Sequence, residues 1–202
     1  MPSASTQTRT RLSRERSRAR IVAAATELVR ERSYAELNVG EIMDRAGIGR
    51  TIFYRHFDDL GQLLLTTGRE AIEELYETQV ELASTRSGDA AEAIHEAISR
   101  AVAVYMEHGP VIRAVVEAAA ADQLVAAGQE PLRRRFDELA EDLLRATAAE
   151  SGREPRDPAE TARALNLLNE SYLLDAFGRE PRVSAETAVR TLTGIWVAVI
   201  NP

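Results

Sequence analysis

Residues 37–57 read LNVGEIMDRAGIGRTIFYRHF, and the second half of that stretch places an arginine, a hydroxyl, a phenol and another arginine within two helical turns. Gly49, Arg50, Thr51, Tyr54 and Arg55 fall away from the apolar stripe of Ile52, Phe53 and Phe57, so at helical spacing they face outward together. Such groups suit a nucleic acid. A planar guanidinium matches the two major-groove acceptors of guanine, while Thr and Tyr hydroxyls and exposed helix-end amides suit phosphate oxygens. Asn38 and His56 border the same stretch and complete the set of candidate DNA-contacting residues.

These side chains need a scaffold, and the local sequence supplies one. Asn38 is a good N-cap, because its side-chain oxygen can accept from an orphan amide of the first turn, and Val39, Ile42, Met43 and Ala46 then recur at helical spacing. Gly47 can take the left-handed conformation that ends this helix, Ile48 packs back, and the second apolar stripe begins at once. Helix, glycine turn and helix form a helix-turn-helix. A first helix is expected over residues 14–32, with Ile21, Ala25, Leu28 and Val29 facing the pair and with Tyr34 and Leu37 closing a small core.

The run AGIGRTIFYRHF, preceded by a helix and by LNVGEIMDR, resembles the DNA-binding domain of TetR-type bacterial transcriptional repressors, with Ala46, Gly47, Ile48, Tyr54, His56 and Phe57 at the matching positions. Three positions depart from that pattern: Ser33 replaces a frequent glycine, Gly49 a frequent serine, and Leu60 a common lysine that would contact phosphate. The resemblance implies an all-α protein that reads operator DNA as a dimer.

Charge is distributed as such a reader requires. The formal net charge is −7, but residues 1–57 hold 11 arginines against 6 acidic residues and residues 58–202 hold 14 against 26, so a basic head sits on an acidic body. The head attracts the phosphate backbone and the body repels it. The early arginines Arg9, Arg11, Arg14, Arg16, Arg18 and Arg20 read either as part of that attraction or as a solubilising tail. With 33 alanines, 11 glycines and 7 prolines, the chain is expected to be nearly all helix. It has no cysteine, and its three histidines (His56, His95, His108) are dispersed, which excludes thiol chemistry and offers no metal-ligand spacing and no catalytic constellation. No signal peptide and no run of about 20 apolar residues is visible, so a cytoplasmic protein without membrane association is expected.

Beyond residue 57, Asp58 is expected to cap a helix of about seven turns on which Leu60, Leu63, Leu64, Ala71, Ile72, Leu75 and Val80 follow helical spacing. A turn over 84–89 precedes a helix over 90–107; His108, Gly109 and Pro110 mark a break before a helix from 111 to about 127, and Pro131 opens another to about 150. Asp157, Pro158 and Glu160 combine an N-cap, proline at N1 and glutamate at N3, starting a helix to Phe177, and Ser184 caps a last one ending near Ile200.

Asn166, Asn169, Leu173 and Phe177 share one face of the penultimate helix, and buried amides need partners. They either satisfy one another, backbone or water within a core or interface, or form the convergent polar groups of an apolar ligand cavity. ALNLLNE over 164–170, Phe177-Gly178 and GIWV over 194–197 also resemble the ligand-binding domain of the EthR group of these repressors. That resemblance implies that Asn166, Asn169 and Trp196 line a long hydrophobic channel, with Tyr105 a weaker match to an aromatic wall residue.

The expected organisation is a flexible arginine-rich arm (1–13), a helix-turn-helix DNA-binding domain (14–57) and a helical ligand-binding and dimerisation domain (58–202). The expected function is ligand-responsive repression, with a homodimer on a pseudo-palindromic operator released by a mostly apolar small molecule and with no cofactor. The alternatives are a helical binding protein or enzyme without a DNA target, and an activator or a relative whose DNA head has decayed. Small residues Ala162, Ala176, Ala188, Gly194 and Ala198 in the last two helices suit a two-fold interface.

Overall fold

The computed structural model describes residues 4–85, 89–150, 152 and 157–200, and among these the chain is helical with no strand. The elements are α1 (Ala4–Glu31), a 3-10 turn (Tyr34–Glu36), α2 (Val39–Ala46), a 3-10 recognition segment (Arg50–Arg55), α3 (Leu60–Thr85), α4 (Ala90–Ala121), α5 (Gln123–Glu150), α6 (Pro158–Phe177) and α7 (Ala185–Ile200). None of these helices is long and apolar enough to cross a membrane.

Several boundaries differ from the sequence expectation, each for a local reason. Helix α1 begins at Ala4, so the segment expected as a flexible arm continues the helix; nothing between Ala4 and Ser13 is a helix breaker. The cap of α3 is Asp59 and not Asp58: its Oδ1 accepts from Gln62 N at 2.7 Å, while the Gln62 side chain accepts from Asp58 N at 2.6 Å. Pro110 lies inside α4 and Pro131 inside α5, where two breaks were expected. A proline costs an interior helix about 3 kcal/mol through one lost bond and a ring clash. Around Pro110 that cost is offset by burial of Val102, Val104 and Tyr105 on one side and Val111, Ile112 and Val115 on the other. The true break is Asp122, whose Oδ1 accepts from Leu124 N at 2.7 Å and so caps α5. Helix α6 starts at Pro158 as expected, but Asp157 adopts φ 44°, ψ 56° and its side chain caps nothing. Ser184 does cap α7, accepting from Thr187 N at 3.2 Å. Of the expected turn over 84–89, residues 84 and 85 still belong to α3 and 86–88 lie outside those described.

Two hydrophobic clusters organise the chain. The first joins Ile21, Ala25, Leu28, Val29, Ile42, Met43, Phe53 and Phe57 to Leu63 and Leu64 of α3, to Val111, Ala114, Val115 and Ala118 of α4, and to Val125 of α5. The head core is therefore not closed by its own helices: the second half of α4 completes it. Leu60, in place of a lysine, packs against this cluster. The second cluster gathers Leu75, Ile98, Tyr105, Leu144, Leu165, Leu173, Phe177, Leu192 and Trp196 from α3 to α7. Helix α4 contributes to both and packs against α1, α3, α5, α6 and α7.

Candidate DNA-reading face and ligand cavity

The turn that aims the recognition segment is built as its residues dictate. Asn38 Oδ1 accepts from Glu41 N at 3.0 Å, and α2 ends on Gly47 at φ 63°, ψ 39°, a left-handed conformation that glycine takes without strain. Arg20 of α1 donates to the carbonyls of Ala46 and Gly47, binding the negative end of α2 to the first helix. Phe53, fully buried, and Phe57 anchor the recognition segment from below, with ring centroids 5.7 Å apart. Gly49, Arg50, Thr51, Tyr54 and Arg55 are exposed, Tyr54 at 57%, and Asn38 is exposed beside them. The segment is a 3-10 helix rather than the α-helix expected, yet the same five residues face outward. The Tyr54 ring stands edge-on to Phe53 with centroids 5.3 Å apart, which fixes its direction.

Sequence reading missed how α1 completes this face. Arg14 donates to the Arg55 carbonyl at 3.1 Å and the Arg18 guanidinium lies 5.5 Å over the Phe57 ring, so two arginines one turn apart sit beside the recognition segment. Their i, i+4 spacing was the available signal. Burial holds the half-buried His56 imidazole below its ordinary pKa, and the charges of Arg14, Arg18 and Arg55 lower it further. His56 is thus neutral at neutral pH and offers a hydrogen bond rather than a charge. Arg45, by contrast, is held by Glu27 at 3.3 Å and Glu31 at 3.1 Å, whereas Arg50 and Arg55 have no ion-pair partner among the described residues.

Within the body, a cavity of about 910 Å³ opens between α3, α4, α5 and α6, with Trp196 of α7 at one wall. Leu75, Ile98, Ile112, Leu143 and Leu173 give it an apolar lining, and Tyr105, Asn166 and Asn169 also reach it. Five of the six sequence-predicted cavity residues thus meet there. Phe177 does not: its ring is fully buried in the second cluster, and its carbonyl lies against Gly109 instead. The two amides do not bond each other. Trp196 Nε1 donates to Asn169 Oδ1 at 3.2 Å, and Asn166 Nδ2 donates to Asp137 Oδ1 at 2.8 Å. Burial pushes the Tyr105 phenol well above its ordinary range, with Glu170 adding to the shift, so it remains an O–H donor at any working pH. Asp137 was not foreseen, because it comes from α5, some 30 positions away in sequence from the helix that carries the amides.

An outward recognition segment on a three-helix head, joined to a helical body with a cavity, defines a helix-turn-helix regulator. Residues 21–66 match the model of bacterial regulatory proteins of the tetR family, and residues 94–201 match that of the C-terminal domain of the transcriptional regulator EthR. The chain belongs to the TetR family of bacterial transcriptional regulators and is not an enzyme. Within the family it is similar to the HTH-type transcriptional regulator EthR of Mycobacterium tuberculosis H37Rv, 31% identical over 189 residues that cover 89% of this chain and 85% of that one. Two solved structures share the fold. The regulator FadR of Bacillus subtilis, in complex with stearoyl-CoA, superposes with a TM-score of 0.72 at 14% identity, covering 90% of this chain and 97% of that one. AibR, in complex with isovaleryl coenzyme A and operator DNA, gives 0.69 at 18% identity, covering 89% and 97%.

Proposed function

We propose that the protein is a cytoplasmic ligand-responsive repressor: a homodimer holds a pseudo-palindromic operator through two recognition segments and releases it when a mostly apolar small molecule fills the body cavity. The observation that carries this reading is the combination, in one chain, of an outward-facing Arg50 without an ion-pair partner among the described residues and a largely apolar cavity whose wall helices pack against the head. Arg50 reads a base, Thr51 and Tyr54 hold phosphates, and Arg14, Arg18, Arg55 and neutral His56 border the same backbone. Arg50→Ala should cost about 1–3 kcal/mol on the specific site, while Tyr54→Phe weakens binding to all sequences more evenly. Gel retardation of the DNA upstream of the protein's own gene, with a salt series, checks this; unchanged affinity and sequence preference in Arg50→Ala would remove the base-reading role.

The amides set the polarity of the effector. With its oxygen accepting from the indole, Asn169 still has its NH₂ to donate; with one N–H given to Asp137, Asn166 still has its oxygen to accept. The effector therefore brings an acceptor to Asn169 and a donor to Asn166. To release DNA it must prefer the non-binding state, and only that difference in affinity counts.

Helices α6 and α7 form the proposed two-fold interface, though not through all the small residues expected. Ala162, Ala176 and Ala188 are buried within the chain's own core, whereas Leu167, Leu168, Gly194, Ala198 and Val199 are exposed. Sedimentation equilibrium at micromolar concentration should return the mass of a dimer, and a monomer would overturn the paired half-site arrangement.

A further inference from the structure

The ionised groups around the cavity neutralise one another with two exceptions. Arg69 pairs with Glu73, Arg133 with Glu170, Arg134 with Glu130 and Arg163 with Glu160. Arg135 stacks on the Tyr76 ring, its guanidinium carbon 3.9 Å from the centroid, and so is committed to α3. Asp137, two residues along and hence on another side of α5, forms no ion pair among the described residues. It is half-buried on the cavity wall, and its partner is the neutral Asn166 amide. With a neutral amide as its bonded partner, the carboxylate gives this part of the wall a negative charge that a cation would complete. The Arg163 charge is near enough to be felt, but that guanidinium is bonded to Glu160.

We propose that the effector carries a protonated amine, seated between the Asp137 carboxylate and the free Asn166 carbonyl, with its apolar remainder along Leu143, Ile98 and Leu173. This rests on the cavity being the effector site. An ammonium group has three donors and no acceptor, which matches two convergent acceptors; a carboxylate in the same place would face Asp137 directly. The effector class is thus a cationic amphiphile, recognised by charge from α5 and by the polarity of the amides from α6.

The test needs three probes of one shape: 4-phenylbutylamine, 4-phenylbutan-1-ol and 4-phenylbutyrate, titrated into the full-length protein at neutral pH while following Trp196 fluorescence and heat. Trp196 is the only tryptophan, so the optical signal reports on the cavity wall. The amine should bind at least tenfold more tightly than the alcohol, with the carboxylate weakest, and the near-isosteric Asp137→Asn should erase the amine's advantage, weakening the amine far more than the alcohol. Equal affinity of amine and alcohol in the wild type, or an amine preference that survives Asp137→Asn, would overturn the proposal while the cavity reading stands. If none of the three binds, the cavity reading fails and the proposal fails with it.

Discussion

Arg113→Ala should cost about 3–5 kcal/mol of folding stability, because it strips the donor from several acceptors at about 1–3 kcal/mol for each one left unsatisfied and buried. Arg113 is only 8% exposed, and its donors are spent across the molecule. Nε donates to the Gly178 carbonyl at 2.7 Å, Nη1 to Glu117 at 2.7 Å, and Nη2 to the carbonyls of Val29 at 2.9 Å and Arg32 at 3.1 Å. Glu117 in turn accepts from Tyr34 N at 2.8 Å. One guanidinium thus closes the C-terminal ends of α1 and α6, where the helix dipole favours a cation, and reaches the 3-10 turn through Glu117. Truncation leaves three carbonyls and a carboxylate short of their donor; Arg179, 3.9 Å from Glu117, stands on the exposed side and cannot replace the fork. Arg113→Lys keeps the charge but not the planar geometry, and should recover only part of the loss. Urea unfolding of the three proteins measures the series. A loss below 1 kcal/mol for Arg113→Ala would show that this network contributes little to holding head and body together.

The head was legible in the sequence because its determinants are local. Asn38 and Gly47 each act on residues within four positions of themselves, as Ser184 does at the start of α7 in the body, so cap and turn chemistry could be read directly. The cavity amides were legible for the same reason: Asn166 and Asn169 share a face by spacing alone. What the sequence hid was set by distant partners. Pro110 and Pro131 look like helix ends until the burial on both sides of each helix is known, and Asp122, one acidic residue among many, becomes a boundary because its side chain turns onto Leu124 N. Asp157 carries every mark of an N-cap, yet its left-handed backbone points the carboxylate away. Asp137 bonds a group on another helix 29 residues away, and Arg113, beyond its i, i+4 pair with Glu117, bonds carbonyls 65 or more residues away, which no periodicity reports.

Gly109→Ala is the case in which helix propensity and packing give opposite answers. Alanine is favoured over glycine by about 1 kcal/mol in a helix interior, so position 109 taken alone predicts a more stable α4. The crossing of α4 with the end of α6 decides otherwise. A Cβ at 109 would lie 2.3 Å from the Phe177 carbonyl oxygen, 2.8 Å from its carbon and 3.3 Å from Gly178 N. All three are backbone, so no side-chain rotation relieves the contact. Gly178 is crowded too, since a Cβ there would meet the Leu174 carbonyl oxygen of its own helix end at 2.4 Å and Arg113 Cδ of α4 at 3.2 Å. The last turn of α6 must therefore move away from α4, which also stretches the Arg113 bond to Gly178 and shifts the helix that carries Asn166 and Asn169. Overpacking of this kind costs about 1–3 kcal/mol, and more where backbone must move. For a chain of this size each kcal/mol lowers the melting temperature by about 2–4 °C, so a fall of several degrees is expected by calorimetry. A melting temperature raised by Gly109→Ala would mean that propensity dominates and that the two helices cross less closely than the backbone distances require.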